Sequence, residues 1–196
     1  MKKVSLCGLG WVLFCLALHA PLARADDTGP KDPTTAVGQF TSPANVFSSN
    51  DADAVEGTVG DTMACWDFNF SGISGTINGI LVEWEMARSG TGGLPVTVSC
   101  ALSWNGGTSF TAVKTNDVTG TTDAYYCFPA GCTANDTWGR SWSAAEFFNA
   151  NFRVWMEYTS EETGNNQINV DHVRVTVYYT PASGGASPRR NRLLKK

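Results

Sequence analysis

Apolar and polar residues alternate along several segments of the chain. In the segment 80–86 the even positions are apolar, whereas Glu83 and Glu85 occupy odd positions. The same alternation recurs at 66–70, 96–104, 152–159 and 173–179. Successive side chains of an extended chain point to opposite sides, so a period of two residues is typical of a strand with one buried face. These segments are therefore predicted to be β-strands.

Turn residues separate these strands, and one strand carries an irregularity. Gly, Asn and Ser cluster at 71–72, 78–79, 89–93, 105–107 and 164–166, which favours tight turns. The apolar residues at 168 and 170 are out of phase with those at 173 and 175. A β-bulge near Asp171 and His172 restores the phase, and we therefore predict one there.

Many short strands and little helical periodicity predict an all-β fold. We expect two antiparallel sheets packed as a jelly-roll-like β-sandwich over residues 39–180. One short helix is predicted at 143–148, where Ser143 and Glu146 have the spacing of a capping box. The segment 26–38 is rich in Thr and Pro and is expected to be extended.

The first 25 residues have the pattern of a cleavable signal peptide. Lys2 and Lys3 precede a mainly apolar stretch, and Ala23 and Ala25 form a small-x-small cleavage site. The apolar stretch is interrupted by Gly8, Gly10, His19 and Pro21, which disfavours a transmembrane helix. The sequence therefore predicts a secreted protein, extracellular or at the cell surface, with the periplasm as the alternative compartment.

Charge is distributed unevenly over the predicted mature chain. Loss of Lys2, Lys3 and Arg24 leaves 11 basic residues against 18 acidic ones, a formal net charge near −7. Five of the basic residues fall within the last eight positions, at the end of a Gly- and Ser-rich segment 181–196 that reads as a flexible tail. An acidic body disfavours nucleic acid as a partner, because phosphate binding needs a basic face.

Four cysteines remain after the predicted cleavage, which suggests disulfides in a secreted chain. Cys127 and Cys132 enclose a short loop that contains Pro129 and Gly131, and we expect them to form a local bridge. Cys65 and Cys100 then remain as the second pair. A zinc site is disfavoured, since no C-x2-C spacing occurs and the mature chain keeps a single histidine.

Three tryptophans are candidates for a surface that binds sugars, whose rings stack on aromatic faces. Trp155 alternates with the apolar residues of its strand and lies between Arg153 and Glu157, while Trp138 and Trp142 flank a glycine in a loop-like segment. The alternative is that these side chains cover an edge of the sandwich. The other mature tryptophans, which fall on apolar faces, are expected in the core; they are Trp66, Trp84 and Trp104.

One acidic loop is a candidate structural calcium site. Asn50, Asp51 and Asp53 present side-chain oxygens close together, and Ca²⁺ takes six to eight oxygen ligands. The spacing does not match an EF-hand, and a solvated acidic turn is the alternative. No other cofactor is expected.

Catalytic patterns are weak. His172 is the only mature histidine, it lies within a strand, and no G-x-S-x-G motif occurs. A glycosidase needs two carboxylates on either side of the scissile bond, but Glu83 and Glu85 share one face of one strand. Residues elsewhere would have to converge with them, namely Asp171, Glu157 or Asp67. We therefore expect no enzyme activity.

Three segments resemble a β-sandwich module that recurs in bacterial and phage surface proteins. They contain WDFNF at 66–70, DTWGRSW at 136–142 and NVDHVRVTVYY at 169–179. The resemblance implies the fold and an extracellular setting, and it transfers no functional residues. We expect a structural or adhesive surface protein whose partners are copies of itself or other surface proteins. A carbohydrate-binding module with glycan partners is the alternative, and a glycoside hydrolase is a more distant one.

Overall fold

The computed structural model describes residues 25–90, 95–161 and 166–182. The predicted signal peptide, except for Ala25, and the tail from residue 183 lie outside the described residues. The strands are β1 (Asp26–Asp27), β2 (Thr35–Gly38), β3 (Ala54–Glu56), β4 (Thr62–Trp66), β5 (Thr76–Gly90), β6 (Val96–Ser103), β7 (Lys114–Val118), β8 (Ala124–Phe128), β9 (Arg153–Glu161) and β10 (Asn166–Thr180).

These strands form two sheets in which every pairing is antiparallel. Sheet A has the order β1-β10-β5-β8, and β3 also pairs with β10. Sheet B has the order β2-β4-β9-β6-β7. The predicted all-β sandwich of two antiparallel sheets is confirmed. The segment 26–38 contributes β1 to one sheet and β2 to the other.

The core lies between the sheets and follows the alternation read from the sequence. Sheet A buries the apolar side of β5 and β10, including Trp84 with no exposed surface. Sheet B buries Val98 and Leu102 from β6 and Val154 and Met156 from β9. The pairing of β10 with β5 shifts register between Val170 and His172, so the predicted bulge at residue 171 keeps both halves of β10 facing inward.

Helical structure in the described residues is limited to two short 3-10 turns, Pro43–Val46 and Ala144–Phe147. The second occupies the predicted helical segment. The Ser143 amide donates to Glu146 Oε2 at 2.6 Å, which is one half of the expected capping box. Arg140 also pairs with Glu146 at 2.7 Å.

The cysteines divide differently from the sequence expectation. Cys127 and Cys132 form a disulfide at the end of β8. Cys65 and Cys100 are instead free, buried thiols. Both point into the core, but β9 runs between their strands, since Cys65 pairs with Val154 and Cys100 with Met156. Two inter-strand spacings are about 9.5 Å, which exceeds the reach of a disulfide.

Gly79 allows the loop after β8 to pack directly on sheet A. A Cβ at Gly79 would lie 2.2 Å from the Ala134 carbonyl oxygen, while the Ile80 amide donates to Asp136 O at 2.9 Å. We expect Gly79→Ala to lower the free energy of unfolding by at least about 2 kcal/mol, because backbone rather than a flexible side chain must move.

The measurement is urea denaturation of both proteins, with Gly57→Ala as the matched control. A Cβ at Gly57 would meet only side-chain atoms of Gln167, at 3.2 Å from Cγ and 3.3 Å from Nε2, and that side chain can move. A midpoint for Gly79→Ala no lower than that of Gly57→Ala would show that the loop is not locked to the sheet at this point.

Candidate functional site

The outer face of sheet B carries a row of aligned residues from four strands. Val37 of β2 pairs with Ala64 of β4, Ala64 pairs with Trp155 of β9, and Trp155 pairs with Ala101 of β6. Trp155 therefore lies between two alanines, whose side chains are too small to cover its indole. Val37 is 52% exposed, Trp155 is partly exposed, and Ala101 is covered.

A second row begins beside the first and is also aromatic. Trp66 of β4 pairs with Arg153 of β9, which pairs with Ser103 of β6. The Arg153 guanidinium carbon lies 4.3 Å from the centre of the Trp66 ring. Phe110 forms a bridge with Ser103, is 41% exposed, and tilts towards Trp155 with 6.2 Å between ring centres.

The third row is polar and places the Glu157 carboxylate on the same face as Trp155. Glu157 pairs with Thr62 of β4 and with Ser99 of β6. Along β9, Arg153, Trp155 and Glu157 alternate with buried residues, so their Cα atoms are about 7 Å apart in turn. No hydrogen bond within the described residues involves the Glu157 carboxylate, which is therefore free to accept one.

We refer to this surface as the sheet-B face. It comprises Thr62, Ala64, Trp66, Ser99, Ala101, Ser103, Phe110, Arg153, Trp155 and Glu157, with Val37 at its edge. Three of the five side chains expected to bind a ligand lie here, namely Arg153, Trp155 and Glu157. They are held together by one strand, which is why the alternation identified them.

Trp138 and Trp142 are not part of this surface, and the expectation that they form a ligand-binding surface with Trp155 is wrong. Trp138 is 3% exposed and Trp142 is 7% exposed. The Trp138 indole N–H donates to Ile80 O at 2.9 Å, and that of Trp142 donates to Thr137 O at 2.8 Å. The loop folds back onto the sandwich, so both rings serve the core.

The sequence did not predict two aromatic residues of the sheet-B face, Trp66 and Phe110, as ligand-binding residues. Alternation of Trp66 with Phe68 and Phe70 predicts a core position for it. The chain leaves β4 directly after Trp66, where Asp67 and Asn69 have positive φ angles of 62° and 53°, so the three rings do not share one strand. Phe110 follows a glycine turn and has no strand periodicity that could have marked it.

The acidic loop expected to bind calcium packs against the bulge of β10. The amides of Asn50 and Ala52 donate to the buried Asp171 carboxylate at 3.0 and 3.1 Å. Asp53 Oδ2 accepts from Asn169 at 2.9 Å. The Asp51 side chain is exposed. One candidate ligand oxygen of the loop, Asp53 Oδ2, is therefore already used in a hydrogen bond that holds the loop against β10.

Three carboxylate oxygens near this loop are buried without a hydrogen-bond partner in the described residues: Asp53 Oδ1, Glu85 Oε2 and Asp123 Oδ1. Burial, followed by the charges of nearby acids including Asp53 and Glu85, raises the pKa of Asp123. No group of three or more His, Cys, Asp or Glu side chains in the described residues is already spaced to hold a metal ion.

The candidates for catalysis are placed apart or held in structural contacts. His172 Nδ1 lies 3.0 Å from Tyr125 Oη and its Nε2 lies 3.1 Å from Asp32 Oδ1. Glu83 pairs with Arg174 through two contacts of 2.9 Å. Glu83 and Glu85 project from sheet A and Glu157 from sheet B, so these carboxylates cannot flank one scissile bond.

Two solved structures are similar to this chain. The CBM36-1 domain of a multidomain xylanase from the hindgut metagenome of Trinervitermes trinervoides has 15% sequence identity and a TM-score of 0.42, over 83% of this chain and 99% of that domain. The N-terminal cellulose-binding domain of Cellulomonas fimi β-1,4-glucanase C has 13% identity and a TM-score of 0.36, over 76% of this chain and 92% of that domain.

No protein-family model matches the sequence, and no curated protein matches it. The helices of the described residues include none with the length and apolar character that crossing a membrane requires. At these TM-scores the similarity carries no argument about this chain.

Proposed function

We propose that this chain is a non-catalytic, secreted carbohydrate-binding protein whose site is the sheet-B face. The observation that carries the proposal is the setting of Trp155, a partly exposed indole between two alanines and next to the exposed ring of Phe110. Sugar rings have apolar faces that stack on such surfaces and hydroxyl groups at their edges. The Glu157 carboxylate in the adjacent row supplies a partner for those hydroxyls, whereas Thr62 Oγ1 and Ser99 Oγ already bond to Gln39 and Thr159.

The composition of the face favours a glycan over a second copy of the chain. A stable protein interface buries about 1,200–2,000 Å² in total and is most apolar at its centre. The apolar residues of the sheet-B face are instead interspersed with charged ones, because Trp155 lies between Arg153 and Glu157 on β9. In addition, an extended segment near the start of the mature chain could complete a sheet of a second copy only if it were unpaired, and residues 35–38 instead form β2, which pairs with β4 of the same chain.

Secretion belongs to the same proposal. The signal-peptide pattern motivates it, and the Cys127–Cys132 disulfide is of the kind that persists outside the cytoplasm. A glycan-binding domain in that location meets polysaccharides directly, and adhesion to a glycan-coated surface would be one use of it.

The first experiment is affinity gel electrophoresis of the mature chain 26–196 through soluble polysaccharides, together with light scattering. Retardation by a polysaccharide, from a particle of monomer mass, is the expected result. Large ordered particles that no polysaccharide retards would favour the structural-subunit interpretation and overturn the proposal.

A structural calcium ion at the acidic loop is the second candidate property. It is favoured by the three unpartnered carboxylate oxygens of Asp53, Glu85 and Asp123, since carboxylates buried together without a cation repel one another. Because the side chains are not yet spaced as a coordination shell, binding would draw them together around the ion. Asn50 and Asp51 would close the loop over it.

We expect 1 mM Ca²⁺ to raise the melting temperature of the mature chain by about 5–10 °C relative to EDTA, the shift for a ligand present at roughly 100 times its Kd. Asp123→Asn should abolish most of this difference. Asp117→Asn, which neutralises an exposed carboxylate on β7, is the matched control and should retain it. Equal melting temperatures of the wild type in Ca²⁺ and EDTA would exclude the site.

A further inference from the structure

Arg153 differs from the other arginines of the described residues because its side chain makes no hydrogen bond and no ion pair within them. Arg140 pairs with Glu146 and Arg174 with Glu83, while Arg88 Nε donates to Thr119 O at 2.9 Å. Arg153 Nε is buried with no hydrogen-bond partner, and none of the ion pairs within the described residues includes this side chain. Among the described residues of this acidic protein, one guanidinium is thus left without a hydrogen bond or an ion pair, and it lies on the face that carries the exposed aromatic rings.

The guanidinium is nevertheless held in place. It stacks on the Trp66 ring at 4.3 Å, and its Cδ passes close to Gly107, where a Cβ would lie 3.5 Å away. Asp67 follows Trp66 in the sequence, but its carboxylate does not pair with Arg153. It accepts a hydrogen bond from Thr35 Oγ1 at 2.8 Å. Arg153 is therefore fixed by packing rather than by a counter-charge, and its charge remains available to a ligand.

We propose that Arg153 is a specificity-determining residue that pairs with the carboxylate of a uronic acid in the bound glycan. This inference rests on the proposed function of the sheet-B face. A planar guanidinium matches a carboxylate through two parallel hydrogen bonds, and the ligand supplies the counter-charge that the protein does not. A sugar stacked on Trp155, which is two residues along β9 and the next side chain on the same face, would place a neighbouring carboxylate within reach.

Glu157 limits how much charge the ligand can carry. It lies four residues beyond Arg153 on the same side of β9, about 14 Å along the strand. A carboxylate at that end would meet a like charge, which disfavours it. The chain as a whole also carries a formal net charge of −4. The expected ligand class is therefore a mostly neutral glycan with isolated uronic acids, rather than a dense polyanion.

The test compares carboxymethylcellulose of low substitution, whose carboxylates stand in for those of a uronic acid, with two neutral polymers. These are the same carboxymethylcellulose after reduction of its carboxymethyl groups to hydroxyethyl groups, and hydroxyethylcellulose as an independent neutral reference. Affinity electrophoresis of the mature chain at low salt gives a dissociation constant for each. We expect the carboxylated polymer to bind about tenfold more tightly than its reduced form. The preference should shrink at high salt, because ions screen exposed charges.

Arg153→Gln should bring the ratio of the two affinities close to one, and Arg153→Lys should leave an intermediate ratio, because lysine keeps the charge without the planar fork. Arg88→Gln, which removes an arginine from sheet A, is the matched control and should keep the wild-type ratio. The melting temperature of each variant shows that it is folded.

The outcomes separate this inference from the function on which it rests. If the wild type binds all three polymers equally, or if Arg153→Gln keeps the preference for carboxylate, the role of Arg153 is overturned while glycan binding stands. If the wild type binds none of the three polymers and no other glycan, the proposed function fails and the inference fails with it.

Discussion

Trp155→Ala is expected to weaken retention of the mature chain by its polysaccharide by at least about tenfold, the loss typical of an interaction hot spot. The indole is the centre of the sheet-B face, and its neighbours Ala64 and Ala101 have no side chain that could replace it. Affinity electrophoresis gives the ratio of dissociation constants. Because Trp155 projects from the outer side of β9, the free energy of unfolding should change by less than about 2 kcal/mol.

Phe148→Ala is the matched control for that experiment. Phe148 is 63% exposed and lines a small pocket next to Phe70 and Ile73 at a loop of the sandwich, away from the sheet-B face. Its loss should leave retention unchanged. If Phe148→Ala abolished retention and Trp155→Ala did not, the binding surface would be this pocket, and the assignment of the sheet-B face would be wrong.

Strand alternation accounts for what the sequence could predict. A residue on β9 has its side fixed by parity, so Arg153, Trp155 and Glu157 could be placed on one outer face without knowledge of the tertiary structure. The same reasoning placed the bulge at residue 171, because only an extra residue lets positions 168 and 173 face the core together. Both inferences depend on local geometry alone.

Strand order could not be predicted in this way. Parity correctly pointed Cys100 into the core, whereas the expectation that Trp66 is a core residue would turn the adjacent Cys65 outward. The pairing of the two cysteines depended on which strands are neighbours. The insertion of β9 between β4 and β6 separates the two thiols, and burial raises the pKa of Cys100 to about 12. They therefore behave as small apolar core residues, which no spacing in the sequence could have indicated.

Alternation also fails where a strand ends. Trp66 reads as the first of three alternating aromatic residues, yet the left-handed backbone at Asp67 separates it from Phe68, which is 2% exposed. Asp and Asn adopt that conformation more readily than most residues, but sequence alone does not show when they do. The aromatic half of the site therefore emerged only from the register of β4 against β9.

In loops the sequence overestimates exposure, because side chains of a turn-rich segment can still be buried. Trp138 and Trp142 flank Gly139 in a segment with no strand or helix pattern, which suggested exposure. Each indole N–H donates a hydrogen bond to a backbone carbonyl. A large ring can therefore be buried in the core without leaving its polar atom unpaired. A buried partner of that kind is invisible to composition and periodicity.

Trp142→Ala is therefore expected to lower the free energy of unfolding by about 3–5 kcal/mol, the usual cost of truncating a buried aromatic residue. The ring packs against Phe147 at 5.5 Å and Phe152 at 6.0 Å. Arg140 also lies over it, with its guanidinium carbon 4.4 Å from the ring centre. Urea denaturation of Trp142→Ala and Trp155→Ala side by side gives the comparison.

The two variants should separate stability from binding. Trp142→Ala should lose several times more stability than Trp155→Ala, and the fraction that remains folded at low temperature should still be retained by the polysaccharide. Trp142→Phe keeps most of the apolar ring but loses the indole N–H, so it should fall between the wild type and the alanine variant in stability. A stable Trp142→Ala protein that no longer binds glycan would instead return Trp142 to the binding surface, because a core side chain cannot be lost selectively for function.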